Sequence, residues 1–329
     1  MAAQYDVCGV GNAIVDMIAT ESDAFLTAHE IQKGGMTLIE DERAAFLTQA
    51  LPKAHQASGG SGANTIAGIG AFGGKAAYMG KVADDELGRF FRKETVESGV
   101  TFRSTPYVGG PATARCIIVV TPDAQRSMNT YLGCTPYLAP ADIDKELVQA
   151  SAITYLEGYL FDRNDAKAAF VQAAEHAKAA GNKVALTLSD SFCVDRHRDS
   201  FNHLVNNHVD ILFANEAEIK SLYETTSFDV ALDKVKKHAP IACVTRSEKG
   251  SVILSNGGAY EIPAYPTNLI DTTGAGDQYA AGFLFGYARG KPLSIAGRLG
   301  SLAAAECISH YGARPLVNLS ELAAKQGLL

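Results

Sequence analysis

The clearest chemistry in this chain lies in the segment Asp271-Thr-Thr-Gly-Ala-Gly-Asp277, which runs straight into the apolar stretch Gln278-Tyr-Ala-Ala-Gly-Phe-Leu-Phe-Gly-Tyr-Ala288. Gly274 and Gly276 let a ligand approach the backbone unobstructed, and the N–H groups of residues 274–277 would point into the space before a helix N-terminus. Donors arranged in this way hold anions, and they gain most on the charge of a transferring phosphoryl group. Asp277, at the end of the array, could take the proton from an attacking hydroxyl as a general base. It could also be only a helix N-cap, the commoner use of Asp ahead of an apolar run.

A second segment, Ala57-Ser-Gly59-Gly60-Ser-Gly62-Ala-Asn64, puts three glycines ahead of a helix of small residues. Ligand can lie against such backbone, and Asn64 offers both a donor and an acceptor to a hydroxylated molecule. The bland alternative is a Gly-rich turn feeding a packed helix. Two glycine patterns elsewhere suggest less. Gly9-Val-Gly11-Asn-Ala-Ile14 lacks the third glycine of a dinucleotide fingerprint, and Gly68-Ile-Gly70-Ala-Phe-Gly73 falls inside a helix, where close packing explains it.

These segments need a frame to hold them. Short Val- and Ile-rich runs predict core strands at 5–10, 76–79, 153–156, 183–188, 211–214, 241–245 and 251–254. Helical periodicity predicts helices at 64–72, 86–98, 163–180, 201–206, 216–223, 229–238, 277–288 and 295–308. The alternation implies an α/β fold, one doubly wound, mostly parallel sheet flanked by helices. Residues 14–40 and 105–133 break the rhythm with strand-like pieces at 35–39, 114–120 and 127–131, little helical period, and turns between them. They predict a small β-sheet lid over the C-terminal edge of the main sheet, within a single catalytic domain spanning 1–329.

Composition narrows the function. With 29 basic against 36 acidic residues there is no electropositive field for a polyanion, so nucleic acid is not an expected partner. No apolar stretch approaches the ~20 residues of a membrane span. Cys8, Cys116, Cys134, Cys193, Cys243 and Cys307 are scattered without metal-ligand spacing, which fits reduced thiols in a cytoplasmic protein.

Together the two glycine segments resemble the two signatures of the ribokinase, or PfkB, family of carbohydrate and nucleoside kinases. The likeness extends from Gly9-Val-Gly-Asn12-Ala-Ile-Val-Asp16 to Gly312-Ala-Arg-Pro315 with the motifs in order. It implies ATP and Mg2+ as cofactors, a small-molecule acceptor as partner, and a monomer or homodimer. Asp277 matches the family's general base, and Gly274, Ala275 and Gly276 its anion hole. Asp16 matches the carboxylate that holds sugar hydroxyls, with Asn12, Gly60 and Asn64 beside it. Asn215-Glu-Ala-Glu218 matches the Asn-x-x-Glu that positions magnesium through water. Thr245 and Gly250 match a turn that reaches ATP, although Ser247 stands where Gly is commoner. Asp271, Thr273 and Gly312 sit where many members bind K+.

Within that family, several stretches resemble the adenosine kinase branch. The interval between Asp16 and Gly60 is long, Leu186-Thr-Leu-Ser-Asp-Ser-Phe192 resembles Asn-Leu-Ser-x-x-Phe, and Tyr155-Leu-Glu-Gly-Tyr159 resembles Tyr-x-x-Gly-Phe. These matches imply a flat apolar slot of Ile14, Leu38, Tyr159 and Phe192 on which a purine stacks, unless each is simply a core or lid residue. Gln125-Arg126-Ser resembles the branch's Asn-Arg-Ser, whose Arg turns toward the phosphates; a solvated turn is the alternative. The resemblance implies phosphorylation of a nucleoside 5′-hydroxyl, adenosine to AMP, or else of a free sugar or sugar acid such as ribose, fructose or 2-keto-3-deoxygluconate. Gln278 departs from the Ala, Ser or Thr common after the catalytic Asp.

Overall fold

Alternate residues of the apolar runs face opposite ways, as strands buried on both sides require. In the computed structural model, which describes residues 3–123 and 125–329, Ala77, Met79, Val184, Leu186, Leu212 and Ala214 join one core, while Ala76, Tyr78, Ala185, Ile211 and Phe213 join another. The sheet between these cores has nine strands, in the order Gly258–Ile262, Ser251–Ser255, Ile241–Thr245, Ile211–Asn215, Lys183–Thr187, Ser151–Glu157, Tyr5–Val10, Ala76–Met79 and Thr101–Phe102. Pairing is parallel from Ile241–Thr245 to Thr101–Phe102 and antiparallel for the two strands at the other edge. The doubly wound, mostly parallel expectation holds.

Alanines at 166, 169, 173, 174 and 177 let helix Asn164–Ala179 lie close on the first face. Helices Ser61–Ala71, Ala275–Ala288 and Leu293–Cys307 cover the second. The last two pack tightly because Gly282 has no Cβ to strike the backbone of Leu299 and Gly300.

A second sheet of five strands has the order Met36–Leu38, Arg126–Tyr131, Ala114–Val120, Ile14–Thr20 and His55–Gly59. It contains more than the three strand-like pieces in the sequence. Ile14–Thr20 is its fourth strand, parallel to Ala114–Val120, and His55–Gly59 pairs antiparallel with it from outside the two expected stretches. Two helices lie beside it where no helical period was read: Asp23–Ala28, capped by Ser22, and Asp41–Ala50, which buries only Ala44 and Leu47. All six cysteines are buried. Among the described residues, no helix is long and apolar enough to cross a membrane.

Candidate active site

The carboxylate of Asp277 does not cap its helix. That helix runs Ala275–Ala288, its N-cap is Gly274 at φ 78°, and Asp277 sits in the first turn, two residues past the helix start. Gly274 is required for its backbone and for space, since a Cβ there would lie 2.7 Å from the Cα of Ala313. At Gly276 an added Cβ would meet nothing within 4 Å, so this position faces open space. The N–H of Ala275 donates to the Thr272 carbonyl at 3.2 Å. Among the described residues the N–H groups of Gly274, Gly276 and Asp277 reach no acceptor. The N–H groups open to an anion are thus those of Gly274, Gly276 and Asp277, whereas that of Ala275, expected among them, is engaged.

Freed from capping, the Asp277 carboxylate turns to a different helix. Ser61 Oγ donates to it at 2.6 Å and Asn64 Nδ2 at 3.3 Å. Burial among protein atoms pushes its carboxyl up to about 7; those two hydrogen bonds oppose the shift, and the charges of Glu157 and Glu218 add to it. A carboxylate poised near neutrality can both accept a proton and release it.

Asp16 and Ile14 share one face of strand Ile14–Thr20, being two residues apart. Gly59 makes room for the Asp16 carboxylate, into which any Cβ would run, and Gly60 (φ 99°) does the same for the carbonyl of Asn12. Burial raises Asp16 to about 6, while the charges of Arg314 and Arg126 hold it down. Asn12 is fixed from both ends. Its N–H and Nδ2 donate to Glu157 at 3.1 and 2.6 Å, and Tyr78 donates to its carbonyl at 2.7 Å. Glu157 also accepts from the N–H of Gly62 at 2.7 Å, and its carboxyl is pushed up to about 7 by burial.

Glu157, Gln278 and Arg314 were not among the site residues read from the sequence. Glu157 was visible as a lone acid closing the apolar run 153–156. Gln278 is fully buried, and its Nε2 donates to the carbonyls of Asn64 and Ala313 at 3.0 and 2.9 Å. It ties three elements of the site together, which a residue as short as Ala or Ser could not do. Arg314 donates from Nε to Asn64 Oδ1 at 3.2 Å.

Along the same sheet edge, Asn215 and Thr245 are register partners at the ends of neighbouring parallel strands. Asn215 and Glu218 form a capping box: Glu218 N–H donates to Asn215 Oδ1, while Asn215 N–H and Nδ2 donate to the Glu218 carboxylate at 2.9 and 2.6 Å. Burial raises Glu218 to about 7. Gly250 has φ 78° and Ser247 φ 51°. The left-handed backbone at Ser247 is the conformation that glycine adopts freely, so the local geometry that favours Gly is kept despite the serine.

Asp271, Thr273 and Gly312 do converge. Asp271 accepts from Thr273 N–H at 3.0 Å, Thr273 Oγ1 at 2.7 Å and Gly312 N–H at 3.1 Å. Its remaining partner is Arg126, so Arg126 is no solvated turn residue but forms an ion pair joining strand Arg126–Tyr131 to the segment before Gly274. Although burial works the other way, the Thr273 and Gly312 hydrogen bonds and the Arg126 charge hold the Asp271 carboxyl below its usual range. A potassium ion would have to displace the guanidinium, so this arrangement does not fit one.

The four residues expected to frame a purine are more open than a closed slot. Leu38 is 48% exposed, Tyr159 37% and Phe192 64%. Tyr159 OH donates to the carbonyl of Ser189 at 3.3 Å, three residues before Phe192, and Arg196 lies over the Phe192 ring at 4.7 Å.

A family described as pfkB family carbohydrate kinase matches residues 36–319. The chain belongs to that family. Its members are phosphotransferases that use ATP, usually with Mg2+, and an alcohol acceptor. Among solved structures, the adenosine kinase from Sinorhizobium meliloti is 48% identical, covering 98% of this chain and 100% of that one with a TM-score of 0.91. A probable sugar kinase from Rhizobium etli CFN 42 is 46% identical, covering 99% and 100% with a TM-score of 0.92. Adenosine kinase of Saccharomyces cerevisiae is 25% identical over 92% of this chain and 94% of its own length. This pfkB kinase thus resembles proteins described by both acceptor classes.

Proposed function

We propose that this kinase transfers the γ-phosphoryl group of ATP to the 5′-hydroxyl of adenosine, giving AMP. The observation that carries the transfer is the Asp277 carboxylate, near neutral in acidity, set beside the unpartnered N–H groups of Gly274, Gly276 and Asp277. Asp277 accepts the proton of the acceptor hydroxyl, and the N–H groups receive charge on the phosphoryl oxygens. Thr245, Gly250 and Asn215 line the nucleotide side. Magnesium bound with ATP supplies further neutralisation of the phosphates, and because it keeps most of its waters, Glu218 suits it through water. Asn12, Asp16, Gly60 and Asn64 hold the ribose, with the second sheet acting as the lid.

The nucleoside part of this reading rests on Ile14, Leu38, Tyr159 and Phe192. Leu38, Tyr159 and Phe192 are large apolar side chains left exposed, the kind of surface on which a flat base stacks. The relative at 48% identity, described as an adenosine kinase, agrees. ATP consumption measured with adenosine, ribose, fructose and 2-keto-3-deoxygluconate tests the assignment. Adenosine is expected to be preferred, and in Phe192→Ala its kcat/KM should fall about tenfold, the effect of losing ~1.4 kcal/mol of stacking and burial. Good turnover of a sugar with none of adenosine would leave the kinase standing and remove the nucleoside.

Asp16→Ala is expected to weaken acceptor binding far more than ATP binding, because only the acceptor presents hydroxyls to that carboxylate. Calorimetry with each ligand checks this. Equal losses would make Asp16 a residue that holds the fold.

A further inference from the structure

Arg314 is a cation beside the acceptor site whose forked end, among the described residues, meets no hydrogen-bond partner. It lies in the turn after helix Leu293–Cys307, which Gln278 fixes by donating to the carbonyl of Ala313. Its Nε donates to Asn64 Oδ1, the same amide whose Nδ2 reaches Asp277. Among the described residues its two terminal nitrogens have no hydrogen-bond acceptor, and no carboxylate lies within ion-pair distance. Yet it is the charge that most strongly holds down the pKa of Asp16, which burial raises, and Glu94 and Asp16 are in turn its main electrostatic neighbours. The guanidinium is held at Asn64, whose N–H donates to the Gly60 carbonyl at 2.8 Å, and the Asp16 carboxylate lies against the neighbouring Gly59, so the two groups flank one short stretch of backbone with a gap that, among the described residues, no hydrogen bond or ion pair closes.

That gap has a definite chemistry. Asp16 only accepts hydrogen bonds when ionised, and Arg314 only donates them. The group that satisfies both is one that donates on one side and accepts on the other, which is a hydroxyl. A carboxylate would suit Arg314 but would set its charge against that of Asp16. We infer that Arg314 is a specificity-determining residue, its terminal N–H groups donating to a ring hydroxyl of the acceptor whose own proton is given to Asp16. The identity of the acceptor as a nucleoside rests on the function proposed above; the hydroxyl requirement does not.

Hydrogen bonds to a charged group are worth enough to separate a hydroxylated acceptor from its deoxy analogue by about tenfold or more. The test measures kcat/KM for adenosine, 2′-deoxyadenosine and 3′-deoxyadenosine with wild type, Arg314→Met and Arg314→Gln. Wild type should disfavour at least one deoxynucleoside by about tenfold or more. Arg314→Met should lose activity on adenosine but little on that analogue, so that the ratio collapses to a few-fold. Arg314→Gln, which keeps a donor, should retain part of the ratio, and it carries the test if the Met variant does not fold. An equal loss on all three nucleosides would make Arg314 a counterion of Asp16 and overturn the inference, as would an unchanged ratio. If wild type ignores nucleosides, the nucleoside reading fails separately, and the same collapse is then expected between ribose and 2-deoxyribose. Activity confined to a keto-deoxy sugar acid and abolished in Arg314→Met would make Arg314 a reader of carboxylate and refute the hydroxyl contact.

Discussion

Asp277→Asn is expected to lower phosphoryl transfer by about 10²-fold or more, the usual worth of a positioned base, while the variant folds and binds ATP. An amide keeps the shape of the side chain but cannot take the acceptor's proton. The wild-type rate should rise with pH to a plateau above about 7, because the carboxylate is the active form and burial holds its proton to that pH. Glu157 and Glu218 are raised to about 7 as well and both face Asp277 electrostatically, so the acid limb belongs to this group of carboxylates together.

Stability should move the other way. The folded carboxyl keeps its proton up to about pH 7, whereas the ordinary Asp value is 3.8, so between these limits the native state binds more protons than the unfolded chain. Stability from this group therefore falls as pH rises through that window, by up to about 1.4 kcal/mol for each pH unit. Asn carries no such charge. The melting temperature of Asp277→Asn should exceed that of wild type more at pH 8 than at pH 5. A variant that stayed within a few-fold of wild-type activity would remove Asp277 from the chemistry.

Much of this candidate site is legible in the sequence because its signals are local. Asp277, Asp16, Asn64 and Glu218 lie in short motifs, and the strands 5–10, 76–79 and 241–245 came out with their observed bounds because each is an apolar run with clear ends. What escaped depends on contacts across the fold. Helix Ser61–Ala71 starts three residues before the expected 64 because Ser61 and Gly62 are poor helix formers, and the link from Ser61 to Asp277 spans 216 residues. Helix Ser191–Asn207 starts ten residues before the expected 201; a non-helical residue, His197 (φ −128°), breaks the apolar period in its middle. Asp277 looked like an N-cap because nothing local shows that Gly274 takes the cap three residues before the first turn's acid. Gln278 looked like an oddity until its amide was seen to hold the carbonyls of Asn64 and Ala313. Arg126 was ambiguous because its partner, Asp271, is 145 residues away.

The two glycines of the anion hole should separate chemistry from folding. Gly276→Val adds its side chain where no atom lies within 4 Å, so the fold has nothing to displace. Helix propensity changes by less than about 1 kcal/mol at such a position, and in valine's favour. The variant should melt close to wild type. Its branched side chain, however, stands over the free N–H groups of Gly276 and Asp277, where the phosphoryl oxygens must come. Denying access to such donors is equivalent to losing them, and one lost donor of this kind costs about 10²- to 10³-fold in kcat. Gly274→Val should behave oppositely, since residue 274 needs φ 78° and any Cβ meets Ala313. The backbone strain alone is worth about 1–3 kcal/mol, and the overlap adds to it, so stability and activity should fall together. Thermal melts beside steady-state kinetics give both readouts. A Gly276→Val enzyme that melts like wild type and keeps kcat within a few-fold would mean that no phosphoryl group passes in front of these N–H groups, and the transfer would have to be placed elsewhere on the sheet edge.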